Sequence, residues 1–383
     1  MSINMSNASG GVPAQSNVSG YPFARAGLFA YLALVVYASW YPFSGWQNKG
    51  LPPWGFLSAP LPYYWSGFDL LANVVGYMPL GALFVFAVHP RLRGIGAVGL
   101  GFICCTLLSA LMEAGQTYLP SRVSSNLDLL LNAGGGLAGA IGGGLLSPLL
   151  MERSRLLRLR SEWFAPHAGA GLIVMALWPM AQIYPRGYLF GHGQMLATLS
   201  DWLTQWLERP VDLAAMLLRD AQLSVQQYWM AETLITSLGC TGAALTLLST
   251  LRKPAPKAAL VLGLIAAALT VKSLASALVF APEHAFAWLT PGAQGGLLIG
   301  AMMVFGLSAA PAAAQRRLAV MSLLLGVAIA NVVPTNPYFT LSLQAWSQGK
   351  FLNFNGAAQF LSFAWPFFAL AFLFYPAQRL KRN

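Results

Sequence analysis

Long apolar runs alternating with short connections constrain this chain more than any other feature. Ten such runs lie at about residues 25–43, 67–88, 95–115, 126–149, 166–185, 229–251, 258–280, 292–312, 318–336 and 357–377. A helix needs about 20 apolar residues to cross the ~30 Å hydrocarbon core of a bilayer. The expectation is therefore all-α, a polytopic membrane helix bundle of about ten transmembrane helices. Only 9% of the 383 residues are charged, where soluble proteins carry roughly a quarter, and the mean hydropathy is +0.59. No water-soluble globule hides this much apolar surface. A soluble enzyme with a membrane tail, a disordered chain and a disulfide-rich secreted domain are all excluded.

The loops give an orientation, because Lys and Arg accumulate on the cytoplasmic side of a membrane. With the N-terminus inside, fifteen of the 22 basic residues fall in inside segments, six fall outside, and Lys272 lies within a span. Glu152 and Glu162 are the inside acids. This pattern needs an even number of spans and predicts both termini in the cytoplasm of a cell whose plasma (inner) membrane holds the protein. The net charge of +11 thus belongs to short loops between spans, and no nucleic-acid partner is expected. Cys104, Cys105 and Cys240 lie inside apolar runs without any CxxC or metal-ligand spacing.

The first 24 residues, rich in Ser, Asn, Gly and Ala at their start, read as a disordered tail before a retained first span. Residues 25–150 form one expected transmembrane domain, 151–165 a basic cytoplasmic linker, and 166–383 a second transmembrane unit. The expected outer loops are long and amphipathic. Residues 44–66 and 337–356 mix aromatic with polar residues, as headgroup-level segments do. In 198–228, Trp202, Leu203, Trp206 and Leu207 share one helical face, which predicts an interfacial helix pair interrupted at Pro210.

Ionisable groups within spans are costly, at ~2.5–3.5 kcal/mol each near a helix centre, so where they cluster something compensates. In the second span, Asp69 and Asn73 lie four apart and hence on one face. The third span ends with Glu113 and Gln116, three apart. After Arg122, the fourth span opens with Asp128 and Asn132, again four apart, and Ser125-x-x-Asp128 fits a helix capping box. Span two enters from outside, span three leaves there and span four re-enters, so all seven groups are expected at one depth beneath the outer surface. Arg122 is expected to fork onto a carboxylate. Gly135, Gly139 and Gly143 recur every four residues, a small-residue stripe that lets a neighbouring backbone approach. Pro79 and Gly81 predict a bend in span two.

These motifs resemble the VanZ-like family across residues 25–150. The marks are Asp69 and Asn73 followed by Pro79-Leu80-Gly81, then Glu113, Gln116, Pro120 and Arg122, then Asp128 and Asn132 with glycines after. The founding member of that family is associated with teicoplanin resistance, so the resemblance implies a role in the cell envelope without naming a reaction. The further spans after residue 150 depart from the family's small size.

The residues leave three readings of function open. In the first, the cluster binds or acts on an amphiphilic envelope molecule, such as a lipid-linked saccharide or a phospholipid headgroup. Asp69, Glu113 or Asp128 would then serve as a catalytic general base or hold a divalent cation. Asn73, Gln116, Arg122 and Asn132 would bind the substrate, Arg122 through phosphate. HExxH, P-loop and GxSxG motifs do not occur, His89, His167, His192 and His284 are scattered, and no cofactor is indicated. In the second reading the chain is a secondary transporter, suggested by its span count and by Lys272. In the third it is a non-catalytic accessory or scaffold protein whose outer loops meet partners.

Overall fold

A computed structural model describes residues 21–41, 43, 45–63, 67–148, 155–166, 168–213, 216, 223–280, 282–334 and 352–375. The described residues are mostly helical, with no strands among them. Among the described residues, seven helices are long and apolar enough to cross a membrane, and three further apolar helices are shorter. The chain divides into two compact units, residues 1–155 and 156–383. The expected tail over residues 1–20 lies outside the described residues.

The first unit contains α1 (Tyr21–Trp40), α2 (Gly67–Val88), α3 (Gly94–Gln116) and α4 (Asn126–Ser147). Its closest pair is α2 with α4, because glycines of α4 face the backbone of α2. A Cβ added at Gly135 would strike the Val74 carbonyl oxygen, one at Gly139 that of Met78, and one at Gly81 that of Gly136. The stripe of small residues therefore sets the helix separation, as close backbone approach requires. Leu80, Cys105 and Tyr77 fill the interior beside α1 and α3.

The connection after α1 folds back over one end of this bundle. Gln47 N donates to Tyr118 O at 2.9 Å and Lys49 Nζ to Leu119 O at 2.8 Å, while Asn126 Nδ2 donates to Ala59 O. A short 3-10 helix, Gly55–Ser58, turns Phe56 inward. Trp46, Leu51, Trp54, Leu57 and Leu61 stay exposed, the aromatic and aliphatic surface of a segment suited to headgroup level.

The second unit contains α5 (Arg155–Trp163), α6 (Gly169–Met180), α7 (Met195–Leu207), α8 (Val225–Leu248), α9 (Lys257–Val279), α10 (Pro291–Leu307), α11 (Ala312–Val332) and α12 (Leu352–Phe374). Helix α8 is its axis, packed against α10 and α11 and buried almost continuously from Ile235 to Leu248. A capping box formed by Ser224 and Gln227 starts it.

One expectation for this unit changes. The run 166–185 is not one helix: α6 has 12 residues and ends at Met180, after which Ala181–Gln194 runs irregularly. Pro179, Pro185 and three glycines between 187 and 193 account for the break, since they lack donors or favour non-helical backbone. The expected amphipathic helix is α7, with Trp202 and Trp206 exposed, and it stops at Glu208 in the left-handed conformation before Pro210. The second half of that expected pair lies largely outside the described residues, as does most of 337–356.

Candidate functional site

The antiparallel run of α2, α3 and α4 brings three helix ends together, and six of the seven predicted polar residues meet there. Glu113, in the last turn of α3, is only 3% exposed. Its Oε2 accepts from the backbone N–H of Ser125 at 2.7 Å. Ser125 is the N-cap of α4, and its Oγ accepts from Asp128 N at 3.3 Å. In a capping box the N3 side chain would take the N-cap N–H; here a carboxylate from the neighbouring helix takes it. Asp128 reaches across to α2, where Asn73 Nδ2 donates to Asp128 Oδ1 at 2.7 Å. The expected local box is thus a three-helix junction.

Arg122 departs from expectation. Its Nη2 donates to the carbonyl oxygens of Ala38 at 3.3 Å and Tyr41 at 3.2 Å, and it makes no ion pair among the described residues. The reason lies in α1, whose last carbonyls have no intrahelical donors and carry partial negative charge. Gln116 serves the same end, donating from Nε2 to Ser39 O at 3.2 Å. Trp40 returns a bond from Nε1 to Met112 O at 3.1 Å. Arg122 still acts electrostatically on Glu113, as does Asp128. Burial lowers the proton affinity of the Arg122 guanidinium, and the Glu113 charge raises it again.

One turn deeper lies a second polar layer, displaced by ~5.4 Å along each helix. Asn132, four residues after Asp128, donates from Nδ2 to Ser109 Oγ at 3.0 Å. Ser109 is four residues before Glu113, and Tyr77 four residues after Asn73. Tyr77 OH and Asn132 Oδ1 are buried and make no hydrogen bond within the geometric limits of one. Tyr77 nonetheless interacts with Ser109, Glu113 and Cys105. Sequence reading passed over Tyr77 and Ser109. Their offset of four residues, one helical turn, from Asn73 and Glu113 is the available signal, but a single hydroxyl in an apolar span seldom stands out.

The structure therefore assembles Asn73, Glu113, Gln116, Arg122, Asp128 and Asn132 at one end of the bundle. Asp69 belongs to the first turn of α2, and its side chain lies outside the described residues. No group of three or more His, Cys, Asp or Glu able to hold a metal occurs among the described residues. The arrangement offers a carboxylate pair, a guanidinium, and a phenol and a carboxamide oxygen each with hydrogen-bonding capacity left over. Such a set can receive a polar group carrying both donors and acceptors.

Residues 26–147 match the model of the VanZ/LLP1 family. The match begins in α1 and ends with α4, so the VanZ-like region contains every residue of the polar junction. It covers less than half of the chain, and α5 to α12 lie outside it. Together with the seven spanning-length helices, it makes this a multi-pass membrane protein with a VanZ-like domain. No curated protein and no solved structure matches the chain.

Proposed function

We propose that the VanZ-like unit binds the polar head of an amphiphilic or lipid-linked envelope molecule at the outer edge of the inner membrane. The observation that carries this reading is the pair of buried polar atoms, Tyr77 OH and Asn132 Oδ1, lying one turn beneath Glu113 and Asp128. A network that served only to hold helices together would satisfy its own buried polar groups. Glu113, Asp128, Asn73 and Asn132 form the walls of the site in this reading. Arg122 and Gln116 hold α1 in place beside it, and Arg122 keeps a face toward phosphate. A lipid-linked saccharide and a phospholipid headgroup both present the hydroxyl and phosphate chemistry required. Catalysis by Asp69, Glu113 or Asp128 would build on the same binding step.

The topology proposed with this function has ten spans and both termini in the cytoplasm. The ten apolar helices supply the spans, the short helices α6 and α10 with their flanking segments included. Residues 25–150 form the VanZ-like domain, 151–165 the basic cytoplasmic linker and 166–383 the second transmembrane domain. The basic loops then face inward, and the aromatic segment 45–63 lies against the outer leaflet.

The test is lipid retention by the purified full chain in mild detergent, measured by native mass spectrometry beside its unfolding temperature. Glu113→Gln keeps an oxygen for the Ser125 N–H and replaces the carboxyl group with an amide, so the chain should fold and lose bound amphiphile. Retention equal to that of the unaltered chain, or loss only in step with unfolding, would contradict the reading.

A further inference from the structure

From Leu156 onward, the basic stretch expected as a linker belongs to the second unit. There, helix α5 is held on the turn between α8 and α9. Arg252 N donates to Trp163 O at 2.7 Å and Ala165 N to Thr250 O at 2.9 Å, so Phe164 and Leu251 pair as an isolated antiparallel bridge. Both of these residues also pack against the core of the unit. The turn is itself closed by Ala255 N donating to Arg252 O at 3.2 Å and Lys257 N to Ala255 O at 2.8 Å.

That turn marks a membrane surface, because two apolar helices of spanning length end and begin there, α8 at Leu248 and α9 at Lys257. A helix of nine residues is too short to cross a bilayer, and the bridge keeps α5 beside the turn. Its faces fit that level. Leu159 and Trp163, four apart, are half-buried, while Arg158, Ser161 and Glu162 are exposed. Further basic residues share the surface. Arg252 and Lys253 are exposed on the turn, and Lys257 is half-buried. Gly292, Gly296 and Gly300 of α10 meet Glu232, Thr236 and Cys240 of α8 in register, so α10 runs parallel to α8 and ends on the same side. Helix α11 therefore starts there, with Arg317 exposed. Within residues 155–166, 249–257 and 308–317, Glu162 is the single acid.

We infer that α5 and the turn between α8 and α9 form a docking surface for anionic phospholipid headgroups of the adjoining leaflet, with Arg158, Arg252 and Lys253 as its contacts. A basic residue beside a membrane span strengthens the hold on anionic lipid by about fivefold. Two features set this surface apart from a loop that is merely basic. The amphipathic helix adds a leucine and a tryptophan suited to headgroup level, and the bridge holds two basic segments together that are distant in the chain. In the proposed topology this leaflet is the cytoplasmic one. The docking requires neither that orientation nor a ligand in the first unit.

The experiment titrates short-chain phosphatidylglycerol, and phosphatidylcholine with the same chains, onto the purified full chain in neutral detergent, followed by native mass spectrometry. Phosphatidylglycerol should bind about tenfold more tightly or better, and added salt should weaken it. Replacing Arg158, Arg252 and Lys253 together by Gln should weaken phosphatidylglycerol by roughly a hundredfold. These side chains are exposed, so the unfolding temperature should hardly move. Arg158→Gln alone should cost about fivefold, which keeps the test open should the triple variant fail to fold. Arg209→Gln, exposed in the segment that precedes the opposite end of α8, should change nothing. Equal binding of the two lipids, undiminished binding by the triple variant, or an equal loss in Arg209→Gln overturns the proposal. So does displacement of phosphatidylglycerol by an equal concentration of glycerol phosphate, since the occupant would then be a free anion.

Discussion

Two side chains at the polar junction, Tyr77 and Arg122, separate a binding role from a purely architectural one. Tyr77 OH makes no hydrogen bond within normal geometry, so Tyr77→Phe should leave stability unchanged or raise it. Its effect should appear in retained amphiphile, which native mass spectrometry would show as a loss without a fall in unfolding temperature. Arg122→Ala should behave in the opposite way. It removes charge-assisted bonds to Ala38 O and Tyr41 O, each worth about 1.5–3 kcal/mol, and would release the end of α1. A lowered unfolding temperature in detergent checks this, and Arg122→Lys should restore only part because an ammonium cannot spread donors as a planar fork does. The i, i+4 pairs in the sequence made Asn73, Asp128 and Asn132 legible, since one helical face was bound to carry each pair. The partner of Arg122 was not legible. Backbone carbonyls at a helix end leave no mark in residue type, whereas carboxylates do, and so the guanidinium was assigned to the wrong acceptors.

Packing of α2 on α4 rests on which glycines face the contact. A methyl group at Gly139 would strike the Met78 carbonyl oxygen, while one at Gly142 or Gly134 meets nothing within 4 Å. Gly139→Ala should therefore cost about 1–3 kcal/mol through overpacking. Gly142→Ala should be neutral or stabilising by up to ~1 kcal/mol through helix propensity. Thermal unfolding of the two variants side by side gives the comparison, and equal effects would mean that the stripe does not set the separation. The period-four spacing of Gly135, Gly139 and Gly143 announced this face in the sequence. The break after α6 was readable in principle from Pro185, Gly187, Gly191 and Gly193. It was obscured because the apolar run 166–185 satisfies a length criterion that counts residues and ignores where the chain stops being helical.

Across the whole molecule, hydropathy fixed the helical architecture because burial in lipid leaves backbone polar groups no alternative to helix. The family match stops where α4 ends, and the docking of α5 on the turn between α8 and α9 was out of reach because it joins segments far apart in the sequence. The proposed topology makes its own prediction. In intact cells a membrane-impermeant maleimide should label Asn48→Cys and Arg209→Cys but leave Arg91→Cys and Lys253→Cys unlabelled. Labelling of the latter pair would invert the orientation and move the polar junction to the cytoplasmic face. The most direct measurement is a density map of the full chain in lipid nanodiscs, read at the junction between α2, α3 and α4. A polar headgroup or saccharide within hydrogen-bonding reach of Tyr77 OH and Asn132 Oδ1, beneath Glu113 and Asp128, is the result expected. Acyl chains packed against those atoms, or a junction closed over them by protein alone, would contradict the account.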